Sequence, residues 1–228
     1  MILETIGLPG SGKSYLCDEI EKQFNTNVIN IPKITSNKIL FKIIKHIFIL
    51  LSNKTSFARK VRNEIYLVLK KEELQSNFNI YDDEVYSVNM ICCLIILYRL
   101  LEKSKKIYIF DEGIIHTLIK MSADFKLSHE AFDSIINIIE RKVYYKRWCI
   151  IYNHIDVETC LLSIKKRDRH VCTFDDLSDS DLKLILKYYN EYNRIYCNTR
   201  NVVIVEREQS MSEKMKKIFD KINEIGVR

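Results

Sequence analysis

Residues 2–6 (Ile2-Leu3-Glu4-Thr5-Ile6) form a short, mainly apolar run, and then the period of the pattern changes. Leu16, Ile20 and Phe24 recur every fourth position with Asp18, Glu19, Glu21 and Lys22 between them. The spacing predicts a strand, a turn and an amphipathic helix. A second strand is expected over 27–31, ended by Pro32, followed by a mainly helical region over 35–104 with polar breaks near 52–55 and 75–83. A third strand, 107–110, runs into Asp111-Glu112-Gly113. Helices are expected near 114–121 and 128–142, a fourth strand over 149–152 and a fifth over 202–205. After the fourth strand Asp156 is placed to cap a helix whose apolar face is Val157, Cys160, Leu161 and Ile164.

Strands that alternate with helices imply an α/β fold, with a parallel sheet covered on both faces. Ligands of such sheets bind at the carboxyl ends of the strands. No repeat or long linker interrupts the pattern, so residues 1–228 read as one domain. The chain is 47% apolar and 29% charged, ordinary globular usage that argues against disorder, collagen and coiled coil. Its net charge of +6 suits a small anionic ligand and does not call for nucleic acid. Seven scattered cysteines without a CxxC pair read as reduced thiols. The apolar runs 39–51 and 88–101 contain Lys42, Lys45 and Arg99 and are too short to span a bilayer, and the start of the chain does not read as a signal peptide. A cytoplasmic protein is expected, with no transmembrane segment.

Glycine usage points to the chemistry. Only five glycines and two prolines occur in the chain, yet Gly7, Pro9, Gly10 and Gly12 fall within six positions. The segment Gly7-Leu8-Pro9-Gly10-Ser11-Gly12-Lys13-Ser14 matches GxxxxGK[ST], the phosphate-binding P-loop. Glycines let the backbone wrap so that successive N–H groups converge on phosphates. Lys13 would reach the β- and γ-phosphates of ATP, and the Ser14 hydroxyl would hold Mg²⁺. The following helix N-terminus adds a positive dipole end, and Tyr15 completes the set expected to contact the nucleotide.

Two further groups belong with this loop. Asp111 ends the third strand, where a carboxylate holds Mg²⁺ directly or through water, and Glu112 next to it either orients an acceptor or opens a helix. The helix after Asp156 ends in Lys165-Lys166-Arg167-Asp168-Arg169-His170. Cations favour helix C-termini for structural reasons alone. Arg167 and Arg169 can also fold over a bound nucleotide and stabilise charge on the transferring phosphoryl group.

Gly7 to Ser14, the strand-terminal Asp111 and the stretch from Ile150 to Arg169 together resemble the P-loop kinases that act on nucleosides and nucleotides. Ile151-Tyr152-Asn153-His154-Ile155-Asp156-Val157-Glu158, then Leu161, Ile164, Arg167 and Arg169, is similar to the strand, helix and arginine lid of thymidylate kinase-like enzymes. The tail is similar too, with a tyrosine-rich helix (Tyr188, Tyr189, Tyr192), a last strand and a closing helix from Ser210. The resemblance implies a five-stranded parallel sheet, a helical acceptor-binding region over 35–104 and a lid over 167–178. It also implies ATP with Mg²⁺, and Lys13, Asp111, Arg167 and Arg169 as the catalytic set. The chain departs from that pattern in two places. Deoxynucleoside kinases keep a base after the second strand, where this chain has Pro32 and Lys33, and an Arg after the strand-three carboxylate, where it has Glu112. Asp-Glu-Gly at this strand end is also similar to P-loop kinase-like proteins encoded with bacterial surface-polysaccharide genes.

A hydroxyl acceptor benefits from a base, whereas a phosphate acceptor already carries an oxyanion. With no carboxylate at the second strand, and Lys33, Lys38, Arg59, Lys60 and Arg62 in the helical region, a nucleoside monophosphate or sugar phosphate is the expected acceptor. Glu112 keeps an alcohol acceptor open. A nucleotide-binding switch that transfers nothing to a small molecule is the rival reading, although the chain lacks the Asn-Lys-x-Asp signature of guanine readers.

Overall fold

A computed structural model describes residues 1–24, 27–29, 55–72, 84–104, 106–143, 147–166 and 177–226. Strand β1 (Ile2–Ile6) leads through the glycine loop into helix α1 (Lys13–Phe24), and β2 is Asn27–Ile29. Helices α2 (Ser56–Leu69) and α3 (Glu84–Leu101) precede β3 (Tyr108–Phe110). Then come α4 (Ile114–Phe125), α5 (His129–Lys142), β4 (Trp148–His154), α6 (Val157–Lys165), α7 (Asp179–Thr199), β5 (Val203–Glu206) and α8 (Met211–Gly226).

The strands form one parallel sheet in the order β2-β3-β1-β4-β5. Glu4 is level with Phe110 on one side and Ile150 on the other, so the ends of β1, β3 and β4 finish at one edge. Side chains alternate across a strand, and this alternation divides the core. On one face Leu3, Ile109, Cys149, Ile151 and Val205 pack against Leu16, Cys17 and Ile20 of α1 and Met215, Ile218 and Ile222 of α8. On the other, Ile2, Ile6, Phe110, Trp148, Ile150 and Tyr152 meet the larger helical layer, including Tyr98 of α3, Leu118 of α4 and Tyr189 of α7. The parallel sheet is thus covered on both sides, which removes its backbone and apolar side chains from water.

Local chemistry sets the boundaries. Asp156 accepts from the Thr159 N–H at 2.8 Å and caps α6, and the Ser128 and Ser178 hydroxyls cap α5 and α7 in the same way. Such caps each contribute about 1 kcal/mol. Helix α4 runs past residue 121 because Ser122 and Ala123 are buried, and it stops where Lys126 takes a left-handed conformation (φ 49°). Strand β4 extends beyond 149–152 because Asn153 and His154 pair with Val205 and Glu206 of β5. Within the range 167–178 read as a lid, Ser178 is the cap of α7, and 167–176 lie outside the described residues. So do 30–54, including the apolar run 39–51. Among the described residues, no helix is long and apolar enough to cross a membrane. The apolar α3 is instead buried between neighbouring helices through Val88, Ile91, Ile95 and Tyr98.

Candidate active site

The loop between β1 and α1 has the backbone that its glycines predict: Gly7, Gly10 and Gly12 all have positive φ, at 139°, 89° and 90°. At Gly7 the requirement is double, because a Cβ there would also sit 2.5 Å from the Asn153 carbonyl oxygen. The first α1 hydrogen bond runs from Leu16 N–H to Gly12 O (3.0 Å). The amides of Lys13, Ser14 and Tyr15 therefore have no carbonyl of the helix to bond, and they form the donor end of its dipole. Tyr15 turns its ring to solvent.

Lys13 is buried, and its ammonium donates to the Gly7 and Leu8 carbonyls at 3.1 and 3.0 Å. Ser14 Oγ donates to Asp111 Oδ2 at 2.7 Å, joining the start of α1 to the end of β3. Asp111 is 2% exposed, and burial raises its pKa against the lowering effect of Ser14 and Lys13. A hydroxyl and a carboxylate oxygen in contact at a helix N-terminus are hard oxygen donors of the kind Mg²⁺ takes alongside phosphate oxygens and water. No group of three or more His, Cys, Asp or Glu side chains suited to a metal occurs among the described residues.

Two residues behind the loop carry no role in the motif. Asn153, 3% exposed at the end of β4, donates from Nδ2 to the Ser11 carbonyl at 2.8 Å. Cys160 of α6 donates to the Pro9 carbonyl. The loop is therefore held from β4 and α6 as well as from its own ends. A polar Asn near the end of the apolar strand Trp-Cys-Ile-Ile-Tyr-Asn-His is the sequence signal that could have marked it.

Beside Asp111 lies a second polar group, centred on Glu4. Its carboxylate accepts from the His116 N–H at 2.9 Å and from the Tyr98 hydroxyl at 3.0 Å. Gly113, the N-cap of α4, makes no side-chain cap, so β1 supplies the acceptor that the helix lacks. This contact also explains glycine at position 113, where a Cβ would collide with the Glu4 carboxyl and the Tyr98 oxygen. Burial pushes the Glu4 pKa up to about 7. His116 is buried too; desolvation, with Lys13 and Lys120 adding to it, holds its pKa well below the usual value. Its Nε2 lies 3.6 Å from Glu112 Oε1.

The structure thus brings Gly7, Pro9, Gly10, Ser11, Gly12, Lys13, Ser14 and Asp111 to one sheet edge. Arg167 and Arg169 lie outside the described residues, as do Lys33 and Lys38. The remaining cations of the helical region lie elsewhere. Phe57 packs under the Arg99 guanidinium (4.4 Å), so α2 begins beside the last turn of α3. Arg59 and Lys60 are exposed in that same turn of α2. They are roughly 20 Å along α3 from Tyr86, the α3 residue near Glu112. Arg62 stands part-way, near Cys92.

Comparisons with solved structures match this architecture from end to end. Deoxyadenosine kinase from M. mycoides with bound dATP aligns with a TM-score of 0.53 at 15% identity, over 98% of this chain and 100% of that one. The chain has a nucleoside kinase-like P-loop fold. The same kinase with bound dCTP gives 0.52 at 16% identity, again over 98% and 100%. The YorR protein from Bacillus subtilis, in complex with phosphorylated GDP, gives 0.50 at 14%, over 98% and 96%. No family profile and no curated protein sequence matches the chain. At these identities the likeness is one of fold, and the functional reading rests on the site.

Proposed function

We propose that the protein is a kinase that transfers the γ-phosphoryl group of ATP, with Mg²⁺, to a small acceptor. The observation that carries this reading is the 2.7 Å contact of Ser14 with Asp111 beside a buried Lys13, at the glycine loop of a nucleoside kinase-like fold. The free amides at the start of α1 and the Lys13 ammonium would bind and orient the phosphates. Ser14 and Asp111 would hold the metal, which neutralises charge on the β- and γ-phosphates when bound. In the transfer an acceptor oxygen forms the new P–O bond and the bond to the β-phosphate breaks, leaving its electron pair on ADP. A hydroxyl acceptor also gives up its proton, which passes to the transferred phosphoryl group or to solvent. Arg167 and Arg169 belong to this proposal as cations for the transferring group, in line with the thymidylate kinase-like pattern. A cytoplasmic setting belongs to the same proposal.

The acceptor is proposed as a small molecule bound on the β3 and α3 side. Arg59 and Lys60, which favoured a phosphorylated acceptor on sequence grounds, stand at the opposite end of α3 from Tyr86 and Glu112 and lend that choice no support.

The test is ADP release from MgATP with pooled nucleosides, sugars, nucleoside monophosphates and sugar phosphates, with Lys13→Ala as control. Release stimulated by one pool and lost in the variant is expected. If ATP binds but no pool stimulates release above the variant, the kinase reading fails in favour of a switch.

A further inference from the structure

Glu112 is the acidic departure at the end of β3, and the P-loop chemistry leaves it unused. Asp111 turns toward Ser14. Glu112, the next residue, is 39% exposed at the same sheet edge, so its carboxylate is open to a ligand from the solvent side. Behind it is His116, 7% exposed, one helical turn later in α4, with Nε2 3.6 Å from Glu112 Oε1. The backbone of His116 is fixed by the bond from its N–H to Glu4, and its ring Nδ1 is buried without a hydrogen-bond partner among the described residues. Tyr86, near the start of α3, lies close enough to feel the Glu112 charge: burial, then that carboxylate, push its hydroxyl up to about 12. One part-exposed acceptor group and one buried imidazole thus meet beside the Lys13–Ser14–Asp111 centre, with a phenol within reach of the carboxylate's field.

At 3.6 Å the pair is beyond hydrogen-bond range, but a neutral imidazole can donate from Nε2 once the part-exposed Glu112 side chain closes on it, which would hold the carboxylate in one orientation and leave its other oxygen to accept from a ligand. A carboxylate accepts hydrogen bonds and donates none when ionised, so the group that suits it is a hydroxyl or an N–H. A phosphate placed there would meet the like charge of the Glu112 carboxylate in a partly dehydrated site, while Lys13, one of the two lysines whose charge reaches His116, is committed to the nucleotide.

We propose that Glu112, oriented by His116, is the specificity-determining residue of the acceptor subsite, and that it selects a neutral acceptor presenting a hydroxyl and rejects a phosphorylated one. This rests on the kinase reading above. Glu112 contacts the acceptor, whereas His116 is a positioning residue that acts through Glu112. The buried imidazole, one helical turn behind the carboxylate, would keep it available to the acceptor.

The experiment measures MgATP-dependent ADP release by the full chain against free nucleosides and hexoses, and against nucleoside monophosphates and hexose monophosphates. Parent, Lys13→Ala, Glu112→Gln, His116→Asn and the Glu112→Gln/His116→Asn pair are compared. The parent is expected to turn over a member of the unphosphorylated pool in a Lys13-dependent way. Glu112→Gln should lower kcat/KM for that acceptor about 10- to 100-fold, mostly through KM, while ATP affinity measured by calorimetry stays within twofold. His116→Asn should raise the same KM, and the double variant should be no worse than Glu112→Gln alone, as for two residues acting through one contact. Lys13-dependent turnover confined to phosphorylated acceptors overturns the proposal and leaves the kinase reading standing. So does a Glu112→Gln change below twofold, or losses from the two variants that multiply. Absence of Lys13-dependent turnover with every pool overturns both.

Discussion

Glu4 is fully buried in a five-residue strand, yet both its carboxylate oxygens are engaged, one at the head of α4 and one by Tyr98. In the unfolded chain such a group ionises near about 4.3. In the fold burial pushes that value up to about 7. Between those values the folded chain keeps a proton that the unfolded chain has lost. Its contribution to stability is therefore full below the lower value and is lost as pH rises through the upper one. His116 acts in the opposite sense. Burial keeps it neutral, so below about pH 6.5 the unfolded chain gains a proton that the folded chain does not, and stability falls with falling pH. The two slopes oppose each other from about pH 4.5 to 6.5, and Glu4→Gln removes one of them. Urea unfolding of parent and variant across pH should show their difference moving in the variant's favour by about 3 kcal/mol between about pH 4.5 and 7.5. A difference that does not change with pH would mean that Glu4 titrates as an ordinary carboxylate.

Among the elements, the glycine loop depends on β4 as much as on β1. Asn153 is the link, through its Nδ2 to the Ser11 carbonyl and its own carbonyl against Gly7. Asn153→Ala removes the side-chain bond and leaves that strand pairing in place, so the fold should persist while the loop loses a fixed point. A lost hydrogen bond of this kind costs about 1 kcal/mol, so ATP affinity measured by calorimetry should fall roughly fivefold to tenfold, with an unchanged circular dichroism spectrum. Asn153→Asp should be worse, because it removes the donor and sets a carboxylate under the phosphates. This link also marks where sequence reading stops. The P-loop was legible because each of its residues has a local reason, and Asp111 because a carboxylate ending an apolar strand stands out. Asn153, Glu4 and Gly113 were not read as parts of the site, because their reasons are contacts between residues about a hundred or more positions apart. The position of Arg59 and Lys60 was hidden for the same reason: their sequence fixes the face of α2 they occupy, whereas the end of the sheet they reach depends on how α2 runs beside α3.

At the scale of the molecule, the site joins both halves of the core. Lys13 and Ser14 begin α1, which packs on one face of the sheet. Glu4 turns from β1 toward the other face, where the helices bearing His116 and Cys160 are buried, and Asp111 and Asn153 lie at strand ends between them. A ligand that tightens this junction stabilises elements from both layers, so binding should register as global stability and not only as local protection. For a single site, ligand at a hundred times its Kd contributes about 2.7 kcal/mol. For a chain of this size each kcal/mol shifts Tm by about 2 to 4 °C. Saturating MgATP should therefore raise Tm by about 5 to 10 °C in a scanning calorimeter. The shift should depend on concentration, and Lys13→Ala should lose most of it while its Tm without nucleotide stays near the parent's, because among the described residues the Lys13 ammonium donates only to carbonyls of its own loop. A shift of equal size in Lys13→Ala would place the nucleotide away from the glycine loop. No shift in the parent at any concentration would remove the nucleotide from the proposal, whatever the fold resembles.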